Sequence, residues 1–322
     1  MNQDVLLFTS TVTAVFLEAS PFLLLGALIS SLVEAYLPRD RLEKYLPKSR
    51  LLGLLFGLTA GMLIPTCECG VVSIVRRFLG KGIPPHVAIT YMLSAPVINP
   101  LVLASTYIAF RGDMGMVLGR VGMVAVCACC IGLALSGIKP ILLLREGKTL
   151  SALVDKGYQH RGPANPDHAH HAFLEMAHGC ACGCEIRKGS RLVEVLQHTA
   201  SEFLEMGKYL ILGALAVGFF KVLLSQDLLL PFQDNVFLAI GAMMLLAVLL
   251  SICSEADAFV AASFSSFPSV AQLSFMTLGP MVDLKLMVMY GAVFHKRIAL
   301  ILIVVPTVLI YILSFLFGVV MG

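Results

Sequence analysis

The feature that most limits what this chain can fold into is its long uncharged stretches. From Val5 to Val33 the only charge is Glu18, and none occurs from Val236 to Ser254 or from Ile298 to Gly322. Runs of about 20 apolar residues cross a bilayer as helices, because in hydrocarbon each backbone N–H and C=O must be satisfied within its own segment. Only 13% of the 322 residues are charged, about half the share in a soluble domain. The expectation is an all-α polytopic membrane protein with about 8–10 transmembrane or half-membrane helices. Met1–Asp4 lacks the basic segment of a cleavable signal, so the first run is expected to be a retained helix. Trp is absent, which leaves any interfacial aromatic belt to Tyr and Phe.

Inside this background the chain repeats itself. Phe16-Leu17-Glu18 and Leu25-Gly26-Ala27-Leu28 match Phe203-Leu204-Glu205 and Leu212-Gly213-Ala214-Leu215 in register. Glu68 then falls opposite Glu255, and Ala95-Pro96 with Asn99 opposite Gly279-Pro280 with Asp283. Internal repeats of this kind are common in secondary transporters. They predict a first membrane repeat over 1–138, a polar loop over 139–200 and a second membrane repeat over 201–322. Within the first repeat, helices are expected near 8–36, 86–110 and 115–138, with a proline-broken pair near 51–80. The second repeats this near 203–224, 236–264, 270–294 and 298–320.

Positive charge orients the halves. Lys and Arg crowd 38–50, 76–81 and the central segment, and Lys296-Arg297 precedes the last run, whereas Ser225–Asn235 has none. The topology that fits has both termini periplasmic and the central loop cytoplasmic in a bacterial inner membrane. The two halves are then inverted.

Thr66-Cys67-Glu68-Cys69-Gly70 carries the sharpest chemistry, since an ionisable residue within a span marks a pathway or site by default. Adjacent-but-one cysteines make strained disulfides, so the C-x-C clusters among the nine cysteines are better read as ligands. On a regular helix i and i+2 diverge by about 200°, but an unwound stretch between Pro65 and Gly70 turns both thiols to one side. The bland alternative is a pair of small buried hydrophobes at a kink. In the other half, Ser251–Asp257 brings Cys253, Glu255 and Asp257 into an apolar region. Cys67, Cys69, Cys253 and Glu255 form a candidate thiolate–carboxylate site near the midplane, with Glu68 or Asp257 as proton carrier. Helix capping by Glu255 and Asp257 is the competing explanation. Asn99 and Asp283, beside in-span prolines, are second-rank pathway residues or caps. Glu18 and Glu205 are expected near helix starts, Cys127, Cys129 and Cys130 on a regular helix, and Arg111, Arg120 and Lys285 snorkelling to an interface.

The central loop reads His168-Ala169-His170-His171 and then His178-Gly179-Cys180-Ala181-Cys182-Gly183-Cys184. Soft thiolates at alternating positions with imidazoles nearby suit Cu or Zn. All four histidines and all three cysteines are candidate ligands, in a role of delivery or sensing. Such a loop also suits a cytoplasmic metallochaperone as partner.

With the Thr66–Gly70 motif, Ala95-Pro96-Val97-Ile98-Asn99-Pro100 and Gly279-Pro280-Met281-Val282-Asp283-Leu284-Lys285, the chain resembles the predicted-permease family that includes the ArsP-type organoarsenical efflux permeases. The resemblance covers both membrane halves and not the central loop. It implies export of thiophilic compounds, with membrane cysteines binding trivalent arsenicals, and carries over onto Cys67, Glu68 and Cys69. The Cys-rich insert makes the sequence more similar to a branch of copper/zinc efflux transporters. The expected function is efflux of Cu or Zn by a secondary transporter. The alternatives are efflux of trivalent organoarsenicals, or a membrane-anchored metal sensor or metallochaperone. No G-x-x-x-x-G-K-[ST] motif occurs and no nucleophile–base constellation stands out, so an enzyme is not expected. Expected partners are the bilayer and the transported ion or arsenical, with no nucleic acid and no tightly bound cofactor.

Overall fold

The computed structural model describes residues 3–36, 49–63, 66–144, 191–223 and 235–321. The His168–Cys184 cluster of the central loop therefore lies outside the described residues. What is described is helical, apart from turns and a single antiparallel bridge between Leu144 and Phe294.

The first half runs α1 (Gln3–Tyr36), α2 (Arg50–Leu63), α3 (Glu68–Gly80), α4 (Pro85–Ser94), α5 (Pro100–Ala109), α6 (Met114–Ala134) and the single turn α7 (Pro140–Leu143). The second runs α8 (Arg191–Leu223), α9 (Val236–Leu250), α10 (Asp257–Ser263), α11 (Ser269–Leu278), α12 (Leu284–Val293) and α13 (Lys296–Met321). Among the described residues four helices, α1, α6, α8 and α13, are long and apolar enough to cross a membrane. Between them lie shorter helices, broken where the sequence carries proline or a capping side chain. The segments expected as single helices near 86–110 and 270–294 are each split in two. Pro100 sits at the first turn of α5, where its missing N–H costs nothing, and Asn99 caps that helix by accepting from Leu101 N at 3.1 Å. Asp283 caps α12 in the same way, its Oδ1 accepting from Leu286 N at 2.6 Å. The two helices opening the halves begin earlier than expected, at Gln3 and Arg191.

The halves repeat in three dimensions. α2 packs on α4 and α4 on α6, as α9 packs on α11 and α11 on α13. Across the halves α3 meets α12, and its counterpart α10 meets α5. α1 and α8 lie antiparallel: Ser30 reaches Glu202 near one end, while Gly218 lies against Val12 and Phe8 near the other. The repeats are thus inverted, as the charge pattern predicts.

One element breaks the symmetry. α1 packs on α3, yet α8 packs on α12 instead of on α10. The α1–α8 pair therefore covers the α3/α12 junction, and among the described residues no equivalent pair covers the α5/α10 junction. Glycines permit this close approach. A Cβ on Gly26 would stand 2.7 Å from Gly70 Cα, and one on its repeat mate Gly213 would stand 2.8 Å from Lys285 Cα. Small residues let helix backbones approach closely in membranes, where burial of apolar surface gives little drive.

Candidate substrate site

The covered junction is where the chemistry collects. Cys67 is the N-cap of α3, extended at φ −75° and ψ 167°, and its Sγ accepts from Gly70 N at 3.4 Å. Ser, Thr, Asp and Asn are the strong caps, and a thiol is a weak acceptor. A cysteine here is a poor structural choice, which points to its sulfur being needed for something else. The unwinding expected through Gly70 stops at Cys67, since Glu68, Cys69 and Gly70 already form the first turn of α3. The two thiols line one cleft all the same. Gly70 serves as the contact point for Gly26 and does not break the helix.

Glu68 is 2% exposed, at the positive end of the α3 dipole. Its Oε1 accepts from Lys285 Nζ at 3.3 Å, and Cys253 Sγ lies 3.9 Å from its Oε2. Lys285 also lies 3.5 Å from Asp283 Oδ2. Cys253 sits in the non-helical stretch between α9 and α10, where Ser251 takes a left-handed conformation (φ 47°, ψ 48°) and its Oγ accepts from Leu284 N at 3.1 Å. That bond ties the stretch to the start of α12. Cys253 Sγ donates to Glu255 Oε2 at 2.7 Å.

These groups line a narrow cleft. α1 contributes Val15, Glu18, Ala19 and Phe22, and the facing wall contributes Cys67, Glu68, Cys69, Cys253 and Lys285. The free space is about 10 Å³, close to the minimum for one water. Carboxylates outnumber cations around it, with Glu18, Glu68, Glu255 and Asp283 against Lys285. Such an excess in a low-dielectric cleft draws cations. Among the described residues, no three His, Cys, Asp or Glu side chains are set to hold one metal ion together. Cys67, Cys69 and Cys253 share the cleft, with Lys285 standing among them.

Asp257 lies elsewhere. It pairs with Arg120 at 2.6 Å, and Arg120 also donates to Thr106 at 2.8 Å and faces the Ser254 carbonyl at 3.5 Å. This cluster belongs to the α5/α10 side and does not line the cleft. Asn99 is buried as a cap, also outside the lining. Asp283 both caps α12 and holds Lys285. On α6, Cys127 is buried, Cys129 half-buried and Cys130 exposed, as a regular helix requires.

Four expectations need correction. Lys285 and Arg120 do not snorkel; they are 2% and 0% exposed and paired with carboxylates of distant elements. Glu18 and Glu205 do not stand at helix starts, because α1 and α8 extend well before them. Glu18 is at the cleft, and Glu205 accepts from Arg76 at 3.0 Å. The rule that singled out Glu68, an ionisable residue within an apolar run, would equally have flagged Lys285 and Arg120.

On α1 the cleft residues are followed by the Gly26–Gly70 contact and then by an ionic cluster. Arg77 Nε donates to Glu202 Oε2 at 2.7 Å, Ser30 Oγ donates to Glu202 Oε1 at 3.3 Å, and Arg76 pairs with Glu205. The cluster lies about 13 Å along α3 from Glu68, at 1.5 Å per residue. It fastens α3 to α1 and α8 on one side of the cleft.

The comparisons bear on the whole of this architecture. The predicted permease family (ArsP_1) matches residues 5–322. The chain belongs to that family. Two relatives agree with it. The UPF0718 protein YcgR of Bacillus subtilis (strain 168) is 36% identical over 298 residues, 92% of each chain. A putative two-component membrane permease complex subunit of Streptococcus mutans (serotype c) is 33% identical over 307 residues, 95% of this chain and 93% of the relative. No solved structure matches. The permease is thus a multi-pass membrane protein of a transport family, with Cys67, Cys69, Cys253, Glu18, Glu68 and Lys285 lining a cleft where the inverted halves meet.

Proposed function

We propose that this permease exports a thiophilic metal ion, Cu(I) or Zn(II), from the bacterial cytoplasm through the α3/α12 cleft. The observation that carries this is the meeting of Cys67, Cys69 and Cys253 with Glu68 and Glu255 at the junction of the halves. Thiolate and carboxylate together suit a soft or borderline cation. Thiols lose protons on binding such an ion, so cargo and protons move in opposite senses, which is one route to coupling with an ion gradient. The His168–Cys184 segment hands the ion on from the cytoplasm or from a metallochaperone. The name of the Streptococcus mutans relative supports looking for a second membrane subunit beside this chain.

One observation favours a second cargo. Cys67 and Cys69 line the cleft together, and two thiols are enough for a trivalent organoarsenical, which needs no carboxylate. The decisive experiment is growth under copper, zinc and methylarsenite in cells expressing the chain. Cys67→Ser keeps an oxygen cap for α3, so its folded yield is expected to match the wild type while protection falls to the level of cells without the gene. Deleting 168–184 is expected to weaken protection without abolishing it. Protection against methylarsenite alone would replace the metal-ion cargo with the arsenical. A Cys67→Ser variant that still protects fully would remove the cleft from the pathway.

With the termini periplasmic, the Arg76–Glu205 and Arg77–Glu202 pairs close the cytoplasmic side. Glu202→Gln is expected to speed labelling of Cys67 by a membrane-impermeant maleimide added from the cytoplasmic face by severalfold. An unchanged rate would show that the cluster does not gate this side.

A further inference from the structure

We infer that Lys285 is a tethered counter-cation that occupies the cargo position between turnovers and must leave Glu68 for a cation to bind. The inference rests on the cleft being the cargo site. Lys285 Nζ lies 3.3 Å from Glu68 Oε1 and 3.5 Å from Asp283 Oδ2, with the residue 2% exposed. It lines the same cleft as Cys67, Cys69 and Cys253. The free space of about 10 Å³ admits about one water, so a hydrated ion does not fit, and a bare cation approaching Glu68 and the thiols meets the like charge of Nζ.

The position of Lys285 makes its departure feasible. It is the second residue of α12, where the helix dipole presents its positive end and disfavours a cation. Glu68 and Asp283, the two carboxylates paired with it, offset that placement. One of them, Asp283, belongs to the same element and keeps its cap bond to Leu286 N whether or not Nζ stays. The other, Glu68, belongs to the opposite half. A long, flexible stem lets an ammonium change partners where a planar guanidinium would hold a fixed geometry. Exchange at Glu68 therefore links an arriving cation to the contact between the halves, since Glu68–Lys285 joins α3 to α12. A neutral arsenical binding through thiols alone competes with no charge. Lys285 thus distinguishes cationic from neutral cargo.

The test reads Cys67 in the full chain in proteoliposomes. Alkylation by a maleimide is followed at that residue by mass spectrometry while Zn²⁺ or phenylarsine oxide is titrated in. In Lys285→Met the Zn²⁺ concentration giving half-protection is expected to fall at least tenfold, because the competitor is gone, and ⁶⁵Zn²⁺ turnover is expected to slow, because release loses its push. Half-protection by phenylarsine oxide stays within twofold, and Lys285→Arg stays closer to the wild type for both. If Lys285→Met does not accumulate, Lys285→Gln carries the same expectation, since its amide still donates to Glu68 and Asp283. Zn²⁺ protection that is unmoved or weakened, or an equal shift for both probes, overturns the tethered-cation role and leaves the cargo site standing. Zn²⁺ that protects Cys67 in no variant overturns the metal-ion cargo, and the tethered-cation role with it.

Discussion

Arg120→Met is expected to cost about 3–5 kcal/mol of stability, the range for breaking a buried ion pair from one side. Arg120 is fully buried on α6 and gathers three elements: Asp257 at the start of α10, Thr106 on α5, and the Ser254 carbonyl before α10. Its loss leaves the Asp257 carboxyl group buried without its partner, with Oδ1 already lacking a hydrogen-bond partner among the described residues. Arg120→Lys keeps the charge but not the forked geometry, and is expected to fall between Met and the wild type. Arg120→Met combined with Asp257→Leu removes both charges and is expected to regain most of the loss, since apolar replacement of a buried pair is often neutral. Thermal unfolding of the detergent-solubilised chain, followed by size-exclusion chromatography, ranks the four proteins. A single variant that melts with the wild type would show that the pair contributes nothing to stability.

A comparable effect is expected from Gly26→Leu, for a steric reason. Even a methyl group on Gly26 would stand 2.7 Å from Gly70 Cα and 3.0 Å from Gly70 O, and backbone atoms cannot swing aside as side-chain tips do. Overpacking of this kind costs about 1–3 kcal/mol for added methylene groups, and here it also lifts α1 off the N-terminus of α3. The wall of the cleft supplied by Val15, Ala19 and Phe22 then moves away from Cys67 and Glu68. Transport is expected to fall at least tenfold in Gly26→Leu, with a smaller loss in Gly26→Ala. Gly122→Ala on α6, where no atom of the described residues lies within 4 Å of the new methyl, serves as the harmless control. Equal transport by Gly26→Leu and Gly122→Ala would sever the link between this contact and the site.

The sequence announced the architecture more clearly than the ion pairs. Helix positions followed from uncharged runs, and the repeat was visible in Leu25–Leu28 against Leu212–Leu215. The splits at 95–99 and 279–283 were harder to see, because apolar residues continue through them. The caps, Asn99 and Asp283, were noticed as polar residues near proline, though their hydrogen bonds to Leu101 and Leu286 are local geometry that hydropathy does not encode. The burial of Lys285 and Arg120 is not visible in their neighbours along the chain. Their partners lie 217 and 137 residues away. Glu18 lies well inside α1 because that helix already begins at Gln3. The adjacency of Cys67, Glu68 and Cys69 is plain in the sequence, whereas the approach of Cys253 to Glu68 depends on how the inverted halves pair.

The ion pairs Glu68–Lys285, Arg120–Asp257, Arg77–Glu202 and Arg76–Glu205 all join the first half to the second. A chain emerging from the ribosome meets this as a delay. At about 5–20 residues per second, Asp257 follows Arg120 by on the order of ten seconds, and Lys285 follows Glu68 by longer still. Throughout that interval the nascent first half carries a carboxylate and a guanidinium bound for burial, with no native counter-charge yet made. Water, lipid headgroups or the insertion machinery must shelter them until the second half arrives, so this protein's biogenesis is most exposed to failure while it is half complete.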